Sequence, residues 1–287
     1  MANTIVYNKH DYVANLRKRL NRPVNWKEAL DVQMSSNRTH VRAGMTTEPA
    51  TAALTRGTAY TFSDFTLTAY TTTLSTDRIH ALFVDRADVY QQKYTDQMEL
   101  ADRQAKRLSE FIETDWLDDH ASWTNFGVGD LNSVGPADDA TTITVSVTNI
   151  DDIIRGVKRK IIAANGADLM QENGVMYTWR PSDWELLEAY TQAQGYTESD
   201  LALKNGISAG LYYMRGEHYY TNDNAANHLF AGVKKLGIIA ILQPLWGQVV
   251  ITEEPNLQSG IGVISRATYG LSWDGIYQTL WQDVNVA

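Results

Sequence analysis

The chain has 287 residues, with 25 Lys plus Arg against 34 Asp plus Glu, a net charge of −9 and no cysteine. Without thiols there is no disulfide framework, no Cys-ligated zinc, no Cys-held iron–sulfur cluster and no cysteine nucleophile. At 44% hydrophobic and 21% charged the composition is that of a folded protein, and the longest apolar run, Leu236 to Leu242, is far short of the roughly 20 residues of a membrane-spanning helix.

The first fifty residues carry eight basic side chains (Lys9, Arg17, Lys18, Arg19, Arg22, Lys27, Arg38 and Arg42) and four acidic ones, a net of +4 that leaves −13 on the remainder. So small an excess is a weak footprint for nucleic acid, and an acidic body repels DNA, which argues against sequence-specific binding. The N-terminus lacks a basic segment followed by an apolar stretch, so no secretory signal is expected. From Thr46 to Ile79 there are twelve threonines, and between Pro49 and Thr76 only Arg56 and Asp64 are charged. Tyr60 and Phe62 alternate with small polar residues in one phase, and Phe65 and Leu67 in the other, which predicts a β-ribbon with a turn or bulge near Asp64. Such a ribbon has too few large apolar groups to offset its own ordering entropy and needs a partner surface.

Tyr90, Tyr94, Met98, Ala101, Ala105, Leu108, Ile112 and Trp116 recur at spacings of three and four, which predicts one long amphipathic helix over about 88–118. A short strand, Thr141 to Val147, is predicted after a Gly-containing break. A second helix runs from Ile150 to Asn165, with Thr148 or Asn149 as cap, Asp151 and Asp152 in its first turn and Asn165-Gly166 closing it. Val175 to Trp179 reads as a strand and Pro181 opens a third helix to about Thr191. Leu211 to Met214 and Glu217 to Thr221 read as a hairpin, and Val249 to Glu253, Gly262 to Tyr269 and Ile276 to Val286 as later strands. The interleaving predicts an α+β chain.

Chemistry-bearing motifs are weak. Gly206-Ile207-Ser208-Ala209-Gly210 satisfies the hydrolase nucleophile-elbow pattern, with Asp223 and His228 following in order. That elbow needs a strand before the serine and a helix after it, and here the predicted context is reversed. The six histidines show no paired metal spacing, and the cluster Asp115, Asp118, Asp119 and His120 reads as a helix end that meets a basic neighbour or water. No phosphate loop or dinucleotide fingerprint is present. No catalytic residue, cofactor or metal is therefore expected.

The order of elements says more. A basic arm, a Thr-rich ribbon, a short strand Ile79 to Val84 ending in Asp85-Arg86-Ala87-Asp88, then a long polar-faced helix Val89 to Asp118 resembles the major capsid proteins of tailed bacteriophages, with the Hong Kong ninety-seven-type fold. Leu82 to Gln92 is similar to the junction from E-loop to spine helix, Ile150 to Asn165 to the second P-domain helix, and Val175 to Trp184 to the entry into the A-domain. Asn227 to Lys234, Leu236 to Leu242 and Val263 to Trp273 resemble the closing core. The resemblance implies an N-terminal arm over 1–45, an E-loop over 46–84, a P-domain over 85–165 including the spine helix 88–118, an A-domain over 166–245 and closing strands over 246–287 shared between the two domains.

It also implies a structural shell protein that self-assembles as pentamers and hexamers around double-stranded DNA, in the virion capsid, assembled in the host cytoplasm. A separate scaffolding protein, a portal and a decoration protein are the further partners implied; no membrane is. Because arm and ribbon lack a core, Arg17, Arg19 and Arg22 in the arm and Tyr60, Phe62, Phe65 and Leu67 in the ribbon are the expected intersubunit contacts. The ribbon from Pro49 to Thr76 contains neither Lys nor Asn, which disfavours a covalent cross-link through it. The rival within the fold is an encapsulin-like compartment shell, which has an N-terminal helix in place of the arm; Tyr12 to Leu20 is helix-compatible. The rival outside it is a Ser208 hydrolase.

Overall fold

The structure, a computed structural model, describes residues 9–20, 25–47, 66–85, 94–132, 138–193, 216–220, 228–254, 260–273 and 275–287. Helices α1 (Lys9–Leu20) and α2 (Asn25–Ala29) precede strands β1 (Leu30–Ser35), β2 (Thr39–Thr47), β3 (Thr66–Thr73) and β4 (Thr76–Asp85). The long helix α3 (Tyr94–Asp118) ends in a 3-10 turn (Asp119–Ser122), followed by β5 (Thr124–Phe126), α4 (Val128–Leu131), α5 (Ile150–Ala163), α6 (Ala167–Asn173), β6 (Val175–Trp179) and α7 (Pro181–Ala193). The last part holds β7 (Glu217–Tyr220), β8 (His228–Val233), β9 (Gly237–Leu242), β10 (Gln248–Glu254), β11 (Gly260–Trp273), α8 (Gly275–Gln278) and β12 (Trp281–Asn285).

Among the described residues the strands form two five-stranded sheets and one two-stranded ribbon. The first sheet runs β1-β9-β11-β10, with β4 lying antiparallel along the other edge of β11. The second runs β5-β12-β8-β6-β7. β2 and β3 make the ribbon, in antiparallel register from Thr39↔Thr73 to Thr47↔Thr66.

The stripe on α3 builds the first core. Ala101, Ala105, Leu108, Ile112 and Trp116 are buried against Tyr12, Leu16 and Leu20 of α1, Ile239 and Ile241 of β9, and Val263, Ala267 and Tyr269 of β11. Helix α5 builds the second: Ile150, Ile153, Ile154, Val157 and Ile161 pack on Val175, Tyr177, Leu229, Ala231 and Val284. Side chains alternate across a strand, so the second sheet serves both cores. Met176, Phe230 and Trp281 face the first, and Tyr177, Ala231 and Val284, on the opposite faces of the same strands, the second. The apolar run Leu236 to Leu242 is the buried strand β9, covered by α3 on one face and by Leu74 on the other, which is why it shows no alternation.

Local signals are mostly realised. Helix α5 starts with Asp151 and Asp152, and it closes on Asn165 at φ 61°, with the Gly166 N–H returning to Ile161 O at 2.9 Å. Asn149 stands at the N-cap, but its Oδ1 accepts from the Ser146 N–H at 2.8 Å and gives the helix no side-chain cap. Several expectations are corrected. Thr141 to Val147 is not a strand; Ile143 alone bridges, to Val286, and among the described residues no further strand pairs along it. Ile276 to Val286 begins as the one-turn helix α8 before β12. β7 pairs in parallel with β6, and Leu211 to Met214 lies outside the described residues, as do 88–93 of the expected long helix. The ribbon's first strand starts at Thr39, inside the stretch read as arm. That stretch also has a core contact of its own, since Tyr12, Leu16 and Leu20 are buried within the same chain.

Candidate functional site

No cleft with converging catalytic groups stands out among the described residues; the features that can act are a ribbon, its root, an exposed sheet face and one histidine cluster. The ribbon joins the body through Leu74, which is fully buried and whose N–H donates to Arg38 O at 2.8 Å. Two charged networks fasten this root. Arg78 on β4 grips Asp115 near the end of α3 with both arms of its guanidinium, Nε to Oδ2 at 3.0 Å, and the Tyr269 hydroxyl donates to the same carboxylate. Such forked, charge-assisted contacts are directional and strong. The hydrogen bond to Asp115 raises the Arg78 pKa, while burial first and Asp115 second raise that of Tyr269. Asp77, beside Arg78, accepts from Thr268 and from Arg266 at 2.8 Å, and the Thr268 hydroxyl is the main cause of its lowered pKa.

On β4, His80 and Leu82 face α3, where with Arg103, Lys106, Arg107 and Glu110 they line a cavity of about 400 Å³. The flanking Ile79 and Phe83 point to the other side and remain 56% and 48% exposed. Val250 on β10, at the register of Ile264, lies on that same outer face. Exposed large apolar side chains grouped on one sheet face mark a contact surface.

Of the residues expected to touch neighbours, Arg17 donates from Nε to Trp246 O at 3.2 Å and Arg19 pairs with Asp102 at 2.6 Å, both within the chain. The backbone of Leu67 pairs with Met45 in the ribbon. Arg22, Tyr60, Phe62 and Phe65 lie outside the described residues, as do Ser208 and Asp223. His228, the third member of the formal hydrolase set, is instead engaged with Asp283. The acidic run at the end of α3 is dispersed rather than convergent. Asp115 is held by Arg78, and Asp119 accepts from Trp273 Nε1 at 3.1 Å, its carboxyl raised mainly by burial.

One cluster has no signature in the sequence. His120 in the 3-10 turn, His228 at the start of β8 and Asp283 on β12 meet across the second sheet. The two Nδ1 atoms lie 2.9 and 2.7 Å from the two oxygens of one buried carboxylate. The imidazole rings are 4.4 Å apart, and each side chain keeps about a fifth of its surface in solvent.

Compared with known proteins, the chain matches no family model and no curated protein. Solved structures do match, across nearly its whole length. A capsid structure of Mycobacterium phage Che8 superposes with a TM-score of 0.60 at 11% identity, covering 87% of this chain and 85% of that one. The mature capsid of bacteriophage PhiM1 gives 0.57 at 11%, covering 93% and 88%. A virus-like particle from Pyrococcus furiosus gives 0.59 at 8%, covering 97% and 100%. The fold is that of phage capsid proteins. In this capsid fold the charged root described above ties β4, the strand that follows the ribbon, directly to the long helix and to β11. The exposed Ile79 and Phe83 lie on that same strand.

Proposed function

We propose that this chain is the structural major capsid protein of a tailed phage, self-assembling through pentamers and hexamers into an icosahedral shell around packaged double-stranded DNA. The observation that carries the reading is the match of almost the entire chain to capsid structures, at identities too low for shared sequence to have produced it. The physical design agrees with it: a ribbon rooted by partly exposed ion pairs and poor in core-forming side chains orders best against a neighbour. In this reading residues 46–84 act as the E-loop, 85–165 with α3 as the P-domain, 166–245 as the A-domain, and 246–287 close both. Tyr60, Phe62, Phe65, Leu67 and Arg22 contact adjacent subunits, while Arg17 and Arg19 seat the arm. The role is architectural rather than enzymatic, so a fluorophosphonate probe leaves Ser208 unlabelled. Partners are other copies, a scaffolding protein, a portal and a decoration protein; the procapsid of satellite phage P4, solved with its size-determination protein, is an assembly of this fold with a second protein. The setting is the virion, with assembly in the host cytoplasm.

Electron microscopy of the expressed chain, alone and with a candidate scaffold, tests this directly. Closed shells are expected, and a monomeric species under every condition refutes it. A second reading, an encapsulin-like compartment, is favoured by two observations: α1 is a helix docked on α3, and the matching virus-like particle is covered completely. Shells that form without scaffold and co-purify with an enzyme would decide for it.

A further inference from the structure

Asp283 is a carboxylate at 3% exposure, and among the described residues its ion-pair partners are two imidazoles; no lysine or arginine pairs with it. A buried anion needs opposite charge as well as hydrogen bonds, and neutral imidazoles supply only the second. The inner surroundings are aromatic. Phe230 lies under both histidine rings, at centroid distances of 5.5 and 6.2 Å, and the β8–β12 register fixes Asp283 opposite Phe230 and Asn285 opposite His228. Trp123 packs edge-on against Phe230 at 5.2 Å, closing the inner side. Only the outer side, where both imidazoles are partly exposed, is open to solvent.

Two imidazole nitrogens and one carboxylate oxygen, converging from three elements on a water-accessible position, form a donor set suited to a divalent first-row transition ion. The donor atoms all lie within 4.8 Å of one another. The two nitrogens lie 2.9 and 2.7 Å from different oxygens of the one carboxylate; tetrahedral coordination with bonds of about 2.1 Å places ligand atoms about 3.4 Å apart, so binding turns one carboxylate oxygen toward an ion held between the two rings. We infer that His120, His228 and Asp283 bind one divalent cation of the zinc class, with water completing its coordination. The ion neutralises the buried carboxylate and clamps the end of α3 to the middle of the second sheet. The site lies within a single chain and stands or falls independently of shell formation.

The test uses the full-length chain stripped with a chelator and titrated with Co²⁺, then with Zn²⁺. One equivalent of Co²⁺ should develop the visible absorption of a nitrogen–oxygen site, zinc should abolish that band, and zinc should raise the thermal midpoint of the stripped protein. His120→Ala and His228→Ala should each lose the band and weaken zinc binding by at least about ten-fold, whereas His40→Ala, on the ribbon, should match wild type. The two histidines are partly exposed, so circular dichroism is expected to show both variants folded; if either is not, His228→Gln and Asp283→Asn give the same comparison. A folded wild-type chain that takes up no stoichiometric Co²⁺, or one that binds equally well without His120 and His228, overturns the site and leaves the cluster as a hydrogen-bonded clasp.

Discussion

Lys27 sits beside Trp26, its ammonium 5.1 Å from the ring centroid and donating to Leu20 O at the junction of α1 and α2. Burial pushes its pKa down from the ordinary 10.5 to about 8. Desolvation penalises the charged form, so below about pH 8 the folded state carries an ammonium that the unfolded chain hydrates better. Between about pH 8 and 10.5 the unfolded chain keeps the proton that the folded chain has released, and linkage makes stability rise with pH over that window. Lys27→Met removes the penalty. The variant is therefore expected to be at least as stable as wild type near pH 7 and to lose that upward slope, as read from urea midpoints across the window. The tyrosines raised by burial titrate in both proteins and cancel from the difference. An identical pH profile in wild type and variant would show that the ammonium is hydrated in the folded state.

The elements are held together by a few polar contacts inside an apolar seam, and Gln104 is a fully buried one. From α3 its Nε2 donates to Val263 O at 3.1 Å and its Oε1 accepts from the Tyr12 hydroxyl at 2.8 Å, so one side chain joins α1, α3 and β11. Replacing it by Leu keeps the volume but removes these hydrogen bonds and a longer one from Nε2 to His80 O at 3.4 Å; each buried group left unsatisfied costs ~1–3 kcal/mol. Tyr12→Phe removes the hydroxyl from that set. The double variant is therefore expected to cost less than the sum of the singles, a coupling measurable in a double-mutant cycle of denaturant unfolding. Strict additivity would mean that α1 is not seated on α3 in solution. The stripe that buries α3 is legible in the sequence because a helix repeats its face every three to four residues, and the closing Asn165-Gly166 of α5 is legible because left-handed backbone selects those residues. Gln104 gives no such signal, since one polar residue within a stripe looks the same whether it faces solvent or three buried partners. β1 is hidden for a different reason: Leu30, Val32 and Met34 do alternate with Asp31, Gln33 and Ser35, but six residues of alternation are a short signal, and the parallel partner β9 lies about two hundred residues away. The cluster of His120, His228 and Asp283 is invisible on the same ground, because only the tertiary fold brings the three together. Thr141 to Val147 shows the opposite failure, in which β-branched residues alternate but, among the described residues, no strand pairs along them.

For the whole molecule the open question is which parts serve the fold and which serve neighbouring copies. The ribbon divides at a definite place. Thr47 and Thr66 are its last paired residues, and the side of it nearest the body is anchored through Leu74, Arg78 and Asp77. Because Thr47 and Thr66 are already cross-strand neighbours, residues 48–65 can be replaced by Asn-Gly, a two-residue turn whose twist suits an antiparallel pair. The shortened chain keeps both described cores and every root contact, so its thermal midpoint and circular dichroism should match wild type. It loses Leu54, Tyr60, Phe62 and Phe65, the large apolar groups of a segment otherwise rich in Thr and Ala. If those residues lie on adjacent subunits, the variant stays as a folded monomer or small oligomer under conditions in which wild type forms shells, as read by analytical ultracentrifugation and negative-stain microscopy. Shells from the shortened chain would remove the ribbon tip from the assembly contacts and leave the exposed face around Ile79, Phe83 and Val250 as the surface to mutate. A collapse in thermal stability would assign 48–65 to the fold of the single chain instead. The charge distribution sharpens the comparison. The replaced segment contains Glu48, Arg56 and Asp64, so its removal leaves the +4 excess of the first fifty residues slightly increased and the body acidic. Long-range attraction between arm and body is thereby kept, and a loss of assembly is traceable to the missing apolar contacts of the ribbon rather than to altered electrostatics.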